Sequence, residues 1–263
     1  MLRALFTAVT GANSQQINMD VVSNNIANVN TTGFKKARAE FQNLLSQTLR
    51  TPGAITDQGT VNPSGIQVGL GVKTSATQRM FLQGSIVQTG NPLDLAINGD
   101  GFFQVQLDDG SFGYTRDGNL KRDANGQIVT SDGYIVQPSI TIPSNATDVV
   151  IGSNGSISVK QAGQSALSQV GQIAMTKFAN NAGLEEVGKN LYKQTPASGD
   201  PVTGVAGQGD FGSTTVEQGF TEGSNVQLVE EITRLIMAQR AFEANTKVIT
   251  AADQMLERVN NIG

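Results

Sequence analysis

Four stretches of this sequence hold residue types from which catalytic or ligand sites are built. Gly99-Asp100-Gly101-Phe102-Phe103 sets a carboxylate between two glycines, and Asp94 lies just upstream. Two nearby carboxylates are the machinery of glycoside cleavage. Gly207-Gln208-Gly209-Asp210-Phe211-Gly212 matches a dinucleotide fingerprint by letter, and Gly69-Leu70-Gly71-Val72-Lys73-Thr74 ends like a phosphate loop. Asp and Asn residues between 108 and 132 offer oxygen ligands to calcium. Each has a plainer reading. The first is a tight turn into a strand. The second follows no apolar strand and opens no helix, and the third lacks the Gly-Lys-Thr order. The Asp and Asn residues sit at turns without a closing Glu. The chain has no His and no Cys, which removes the commonest general base, the commonest zinc ligand and any disulfide. We expect no enzyme, no cofactor and no metal.

The elements around these stretches read as β structure. Leu93, Leu95 and Ile97 alternate with polar or small residues, as do Phe103, Val105 and Leu107. Asp109-Gly110, Asp117-Gly118, Asn125-Gly126, Asp132-Gly133 and Asn154-Gly155 punctuate the run. Short alternating strands between such turns predict a hairpin meander. Ile140, Ile142, Val149, Ile151, Ile157 and Val159 continue it, residues 170–178 predict one more strand, and residues 195–215 read as loop and edge.

Both ends are helical by pattern. Leu228, Leu235, Phe242, Ile249 and Leu256 recur every seventh position, with Ile232 in the alternate seam position. Ser224 and Gln227 predict a capping box, and a helix from there would be roughly 57 Å long. Leu2, Leu5, Val9, Ala12, Met19 and Ile26 repeat the spacing, with polar Gln16 and Ser23 in the seam. Such stripes require partner helices, so the two ends are expected to pair as a coiled coil. Gly33 is the expected C-terminal stop of the first helix. The Asn residues of this segment are poor helix formers, whose buried amides are expected to bond to neighbouring chains.

Between the first helix and the β region, Phe41, Leu44, Leu45 and Leu49 have helical spacing until Pro52-Gly53 stops them. The polar, turn-rich stretch to Pro63 reads as an extended arm or loop whose length points to a function or an assembly contact. The expected organisation is a terminal-helix coiled-coil domain (1–34 and 224–263), a connecting segment with the arm (35–65) and a β-rich outer domain (66–223).

Net charge is −4 with scattered Lys and Arg, so no nucleic-acid partner is expected. No run approaches the roughly 20 apolar residues of a membrane span, so no membrane insertion is expected. The start is too often interrupted by polar residues, and lacks the small-residue cleavage site, of a signal peptide.

Asn24-Asn25-Ile26-Ala27-Asn28-Val29-Asn30-Thr31-Thr32-Gly33-Phe34-Lys35 resembles the N-terminal signature of the bacterial flagellar rod and hook family. Gln239-Arg240-Ala241-Phe242-Glu243-Ala244-Asn245 and Thr250-Ala251-Ala252-Asp253-Gln254-Met255-Leu256 resemble its C-terminal motif, and Gly99 to Phe103 has a counterpart in its β domain. Phe242 replaces the Tyr common there, and Ala12 and Ser14 replace the usual Met and Ala. The resemblance implies a self-assembling structural subunit of a helical filament, with the terminal helices as inner layer and the β domain outside. It implies a stiff hollow shaft carrying torque across the periplasm, exported by the flagellum's own type III apparatus without a cleaved signal peptide. Implied neighbours are other copies, proximal rod proteins, the hook protein, ring bushing proteins where present, and the export apparatus. Hook members of the family carry extra outer β domains for which 263 residues leave little room, and the segment 41–63 looks like a rod-type insert.

The alternatives are an enzyme using β-domain carboxylates, or an extracellular β adhesin with a helical stem. Negative-stain images separate them: filaments, discrete monomers or small closed oligomers. In the isolated chain the terminal segments are expected to fray, with trypsin cutting first at Lys35, Lys36, Arg234 or Arg240.

Overall fold

The computed structural model describes residues 2–53, 64–163 and 166–261. The chain forms two compact units: Met1–Ile26, Ala37–Gln78 and Gln227–Gly263 in one, Ala27–Lys36 and Arg79–Val226 in the other.

The first unit holds the helices α1 (Leu2–Ala27) and α2 (Leu228–Asn260). At 1.5 Å per residue they are about 39 and 50 Å long. Glu230 and Glu231 in the first turn of α2, and Arg258 in its last, complement the helix dipole. The expected capping box does not form. Gln227 is the N-cap and makes no side-chain cap bond, while the Ser224 hydroxyl accepts from the Val226 N–H at 3.3 Å. Gly33 is not the stop of α1 either. The helix ends at Ala27, and a turn closed by the Thr31 N–H to the Asn28 carbonyl (3.2 Å) follows.

Four strands complete this unit: β1 (Ala37–Asn43), β2 (Gln47–Arg50), β3 (Ile66–Val68) and β4 (Val72–Arg79). β1 pairs with β4 and β2 with β3, and the Leu44 N–H donates to the Gly71 carbonyl between them. The connecting segment is thus one side of a two-stranded ribbon, not a short helix or a single extended arm. Phe41 lies in β1 and Leu49 in β2, while Leu44 and Leu45 fall in the irregular joint. Residues 66–78, expected in the β-rich domain, supply the return strand. The spacing of Phe41, Leu44, Leu45 and Leu49 fits a helix, but a partner strand some thirty residues away outweighs it. Residues 54–63, Pro63 among them, lie outside the described residues.

The second unit is the β domain. Its strands are β5 (Ile86–Gln88), β6 (Leu95–Asn98), β7 (Phe102–Gln106), β8 (Phe112–Thr115), β9 (Lys121–Arg122), β10 (Ile128–Val129), β11 (Ile135–Gln137) and β12 (Ala146–Ile151). They continue with β13 (Ser156–Gln161), β14 (Leu167–Gln172), β15 (Met175–Lys177), β16 (Glu185–Gly188), β17 (Leu191–Lys193), β18 (Val202–Gly204), β19 (Thr215–Gln218) and β20 (Phe220–Glu222). The main sheet runs β16-β17-β8-β7-β11-β10-β9, with β15 joining β7 to β18. A second sheet runs β12-β13-β14, and β19 pairs with β6 and β20 with β5. The turns at Gly110, Gly126, Gly133 and Gly155 close hairpins as expected, whereas Asp117-Gly118 closes none. The single strand expected over 170–178 is two strands belonging to different sheets.

Leu95, Ile97, Phe103, Val105, Ile157 and Met175 head the core. Successive residues of a strand face opposite ways, so Phe102 points into a second cluster with Tyr114, Phe178 and Tyr192. Tyr114 meets Phe178 edge-on at 4.7 Å. The sheet is buried on both faces here, and burial pushes the Tyr192 hydroxyl up to about 12.

The carboxylates read as candidate chemistry serve turns. Asp94 accepts from Thr89 Oγ1 (2.6 Å) and Asn91 Nδ2 (2.9 Å), while Asp100 is exposed. Gly209–Phe211 forms a 3₁₀ turn that buries Phe211, and Gly69 to Thr74 leads from β3 into β4. Among the described residues no helix is long and apolar enough to cross a membrane.

Lys35 is fully buried and Lys36 nearly so. This overturns the expectation that trypsin cuts there first. Of the two sites expected in α2, Arg240, whose side chain is 77% exposed, is more accessible than half-buried Arg234. Limited proteolysis followed by mass spectrometry should give early cleavage after Arg240 and Arg38, and late cleavage after Lys35.

Candidate assembly site

Two contacts fix how α1 and α2 pair. Asn25 Nδ2 donates to Glu231 Oε2 at 3.2 Å, and a Cβ added to Gly11 would lie 3.0 Å from Asn245 Oδ1. Moving from 11 to 25 on α1 means moving from 245 back to 231 on α2, so the helices are antiparallel. Gly11 is therefore where α1 passes closest beneath a side chain of α2. Asn25, only 1% exposed, also donates to the Ala37 carbonyl and accepts from the Ala37 N–H, both at 2.9 Å. One amide thereby joins α1, α2 and the first strand of the ribbon. The amide bonds inside its own chain rather than to a neighbouring one.

The buried row is made of small residues. Ala8, Ala12 and Val22 on α1, and Ala238 and Ala252 on α2, are at most 8% exposed. Of the expected seam, Ala12 is buried. Leu5, Met19, Ile26, Leu235, Phe242, Ile249 and Leu256 are half-buried. Leu2, Val9, Leu228 and Ile232 are exposed, as are Gln16 and Ser23. The covered row on α1 runs through 8 and 22 where 9, 16 and 23 were expected. A stripe of this width admits either neighbour, and the partner's position decides.

Large apolar residues remain uncovered at both ends of the pair. Leu2, Phe6 and Val9 lie at the end that carries Val248, Met255 and Val259, all at least 46% exposed. Leu228, Val229, Ile232, Ile236 and Met237 occupy the other end, at least 42% exposed. A groove of about 390 Å³ lies between α1, α2 and β1, with Val22, Phe41, Met237 and Ala238 in its wall. On the ribbon, Leu45 is 88% and Leu49 56% exposed, Leu44 is half-buried, and Pro52 and Gly53 are exposed.

The N-terminal signature residues divide between the two units. Asn24 and Ala27 are exposed and Asn28 is half-buried, its amide oxygen accepting from Thr31 Oγ1 at 3.1 Å. Gly33 and Phe34 are buried in the β domain's first piece. Gly33 is left-handed (φ 68°), and a Cβ there would lie 2.6 Å from the Asp117 nitrogen, so both backbone and space require glycine. Its N–H donates to the Glu222 carbonyl at 2.8 Å. Thr32 Oγ1 donates to Asp117 Oδ1 (2.9 Å) and Asn190 Nδ2 to the Thr32 carbonyl (3.1 Å).

Sequence reasoning missed the residues that receive this segment. Lys35 Nζ meets Glu222 Oε1 at 2.6 Å and the Leu82 carbonyl at 2.7 Å. Arg116 Nη1 meets Glu222 Oε2 at 3.1 Å, and Arg79 stacks on Phe34. The one available signal was the abrupt arrival of Lys35 and Lys36 after a stretch with only two charges. Burial pulls both Lys35 and Arg116 below their ordinary pKa, with Glu222 opposing it. Burial raises Asp117, against the hydrogen bonds from Asn119 and Thr32.

Asn25→Ala removes the three-way tie and leaves buried polar groups unpaired, so it should destabilise the helical unit by about 2–3 kcal/mol. Urea unfolding followed by helical circular dichroism checks this. For Asp117 the folded pKa lies above the unfolded 3.8, so its ionised form opposes folding at neutral pH. That penalty fades as pH falls through the folded pKa towards 3.8. Asp117→Asn, which keeps an acceptor for Thr32, should raise the urea midpoint at pH 7, and its advantage should shrink as the pH approaches 4.

Known proteins resemble this chain from end to end. Residues 5–35 match the family model of the flagella basal body rod protein. Residues 96–159 match the flagellar hook protein FlgE/F/G D1 domain, and residues 217–262 the flagellar basal body rod FlgEFG protein C-terminal region. The flagellar basal-body rod protein FlgG of Caulobacter vibrioides is 49% identical over 262 residues, 99% of each chain. Those of Agrobacterium fabrum (48% over 260 residues, 98% of each) and Bacillus subtilis (40% over 267 residues, 100% of this chain and 99% of the other) are similar throughout. The flagellar hook protein FlgE of Helicobacter mustelae matches over 138 residues at 47%, covering 52% of this chain. Full-length identity at this level decides the family: the chain belongs to the FlgG family of flagellar basal-body rod proteins.

Proposed function

We propose that this chain is a structural, non-catalytic subunit of the distal rod, polymerising with its own copies into a stiff hollow shaft that carries torque from motor to hook. The observation that carries the reading is the pair of unlike apolar surfaces at opposite ends of the helix pair. Apolar patches of this extent mark interaction surfaces. A contact between two different patches is heterologous, and one that does not close on itself propagates as a helical filament. The expected seam residues complete their burial in that contact. The ribbon, with exposed Leu45 and Leu49, reaches further copies: each of its sides, fourteen residues long, spans roughly 46 Å. Family membership supports proximal rod proteins, the hook protein, ring bushing proteins and the export apparatus as further neighbours. It also supports a position across the periplasm after export by the flagellum's own apparatus.

Electron microscopy of the purified chain at rising concentration tests this. Filaments are expected, and a chain that stays monomeric at every concentration would sink the proposal. Phe242→Ala removes a ring half-buried in the lone helix pair and covered in the filament. Truncating a buried Phe costs about 3–5 kcal/mol, repeated here at every subunit. It should abolish filaments while the near-ultraviolet signal of the β-domain tyrosines is kept. Deleting residues 46–62 should still permit filaments, but curved ones; straight ones would show that the ribbon does not set stiffness.

A further inference from the structure

The β domain is made of two chain pieces and so has four chain ends. Three of them, at Lys36, Arg79 and Val226, are tied to one another. The Lys36 N–H donates to Asn225 Oδ1 at 2.7 Å, and the Met80 N–H to the Lys36 carbonyl at 2.9 Å. Asn225 Nδ2 donates to the Met80 (2.8 Å) and Leu82 (3.1 Å) carbonyls. Arg79 Nη1 donates to the Lys35 carbonyl at 2.7 Å. Beneath these bonds lies the buried Lys35–Glu222–Arg116 network, with side chains 0%, 0% and 4% exposed. Glu222 Oε1 also accepts from the Gly84 N–H at 2.7 Å.

We infer that this cluster is a mechanical clasp that makes the β domain's chain ends bear load together. A strand pulled alone loses its hydrogen bonds one after another. Here a pull on residue 36 also loads residues 79–84 and 222–225, so the bonds must break as a group. The chemistry fits this role better than a role in stability. A buried ion network is a weak stabiliser, often replaceable by apolar groups without loss, yet its geometry holds its members in fixed register. The purpose assigned to the clasp rests on the load-carrying function proposed above; its existence rests on the geometry alone.

Lys35→Met separates the two roles. It leaves Glu222 paired with Arg116 and the Gly84 N–H, so equilibrium stability should change little, while the side-chain tie from residue 35 to Glu222 and the Leu82 carbonyl is lost. The chain has no Cys, so handles can be placed at will. In optical tweezers, handles on Ala37→Cys and Gln227→Cys load the clasp directly. Handles on exposed Lys121→Cys and Lys160→Cys load the sheets. Lys35→Met should unfold about tenfold faster at equal force through the first pair and at the unaltered rate through the second. Equal acceleration through both pairs, or none through either, would overturn the clasp. Should Lys35→Met not fold, Asn225→Ala cuts the upper ties and is judged by the same outcomes. Failure of the purified chain to form filaments would count against the assembly reading and leave this measurement standing.

Discussion

A carboxylate held between two cations in a dry interior is the constraint on which the β domain depends. Glu222 has no solvent to turn to, and neither do Lys35 or Arg116. Burial strips water from all three, so the Glu222 carboxylate must keep a cation beside it. Arg116 Nε is buried without a hydrogen-bond partner, which adds to the penalty. The chain meets it with backbone carbonyls: Leu82 beside Lys35, and Ile97 and Gly99 beside Arg116. Asn25 does comparable work in the helical unit with a neutral amide, which needs no counter-charge.

The helix pair is held within one copy by a contact lean in large apolar side chains. Alanines and a glycine line its inner row, and Phe6, Ile236 and Met237 point away. Fully burying a large side chain contributes about 1.5–3 kcal/mol, and an alanine far less. Most of the large apolar side chains of these helices thus contribute little to the stability of the single copy. Substitution of the outward residues therefore has little effect on the fold of one subunit.

The parts legible in the sequence were those governed by local periodicity. Alternation located β6, β7, β12 and β13, Asx-Gly pairs located four hairpins, and heptads located both helices. Non-local geometry hid the rest. The helical spacing of Phe41 to Leu49 gave no hint that residues 66–79 would pair with it. Asp117-Gly118 looks like its neighbouring turns, yet Asp117 receives Thr32. Glu222 carries no motif, and its partner Lys35 lies 187 positions away. Ser224 and Gln227 have the spacing of a cap, but Asn225 between them is engaged with Lys36, Met80 and Leu82, and α2 starts only at Leu228.

The same long separations bear on how the chain matures. Asn25 waits 206 positions for Glu231, and Lys35 waits nearly as long for Glu222. Contacts this remote make for slow, late folding. A chain that stops before Glu222 lacks the receiving groups of both units, and one that stops before Glu231 lacks that of the helical unit. Closure of each unit thus draws on residues from both ends of the chain: the β domain closes at Glu222, the helical unit only once α2 begins.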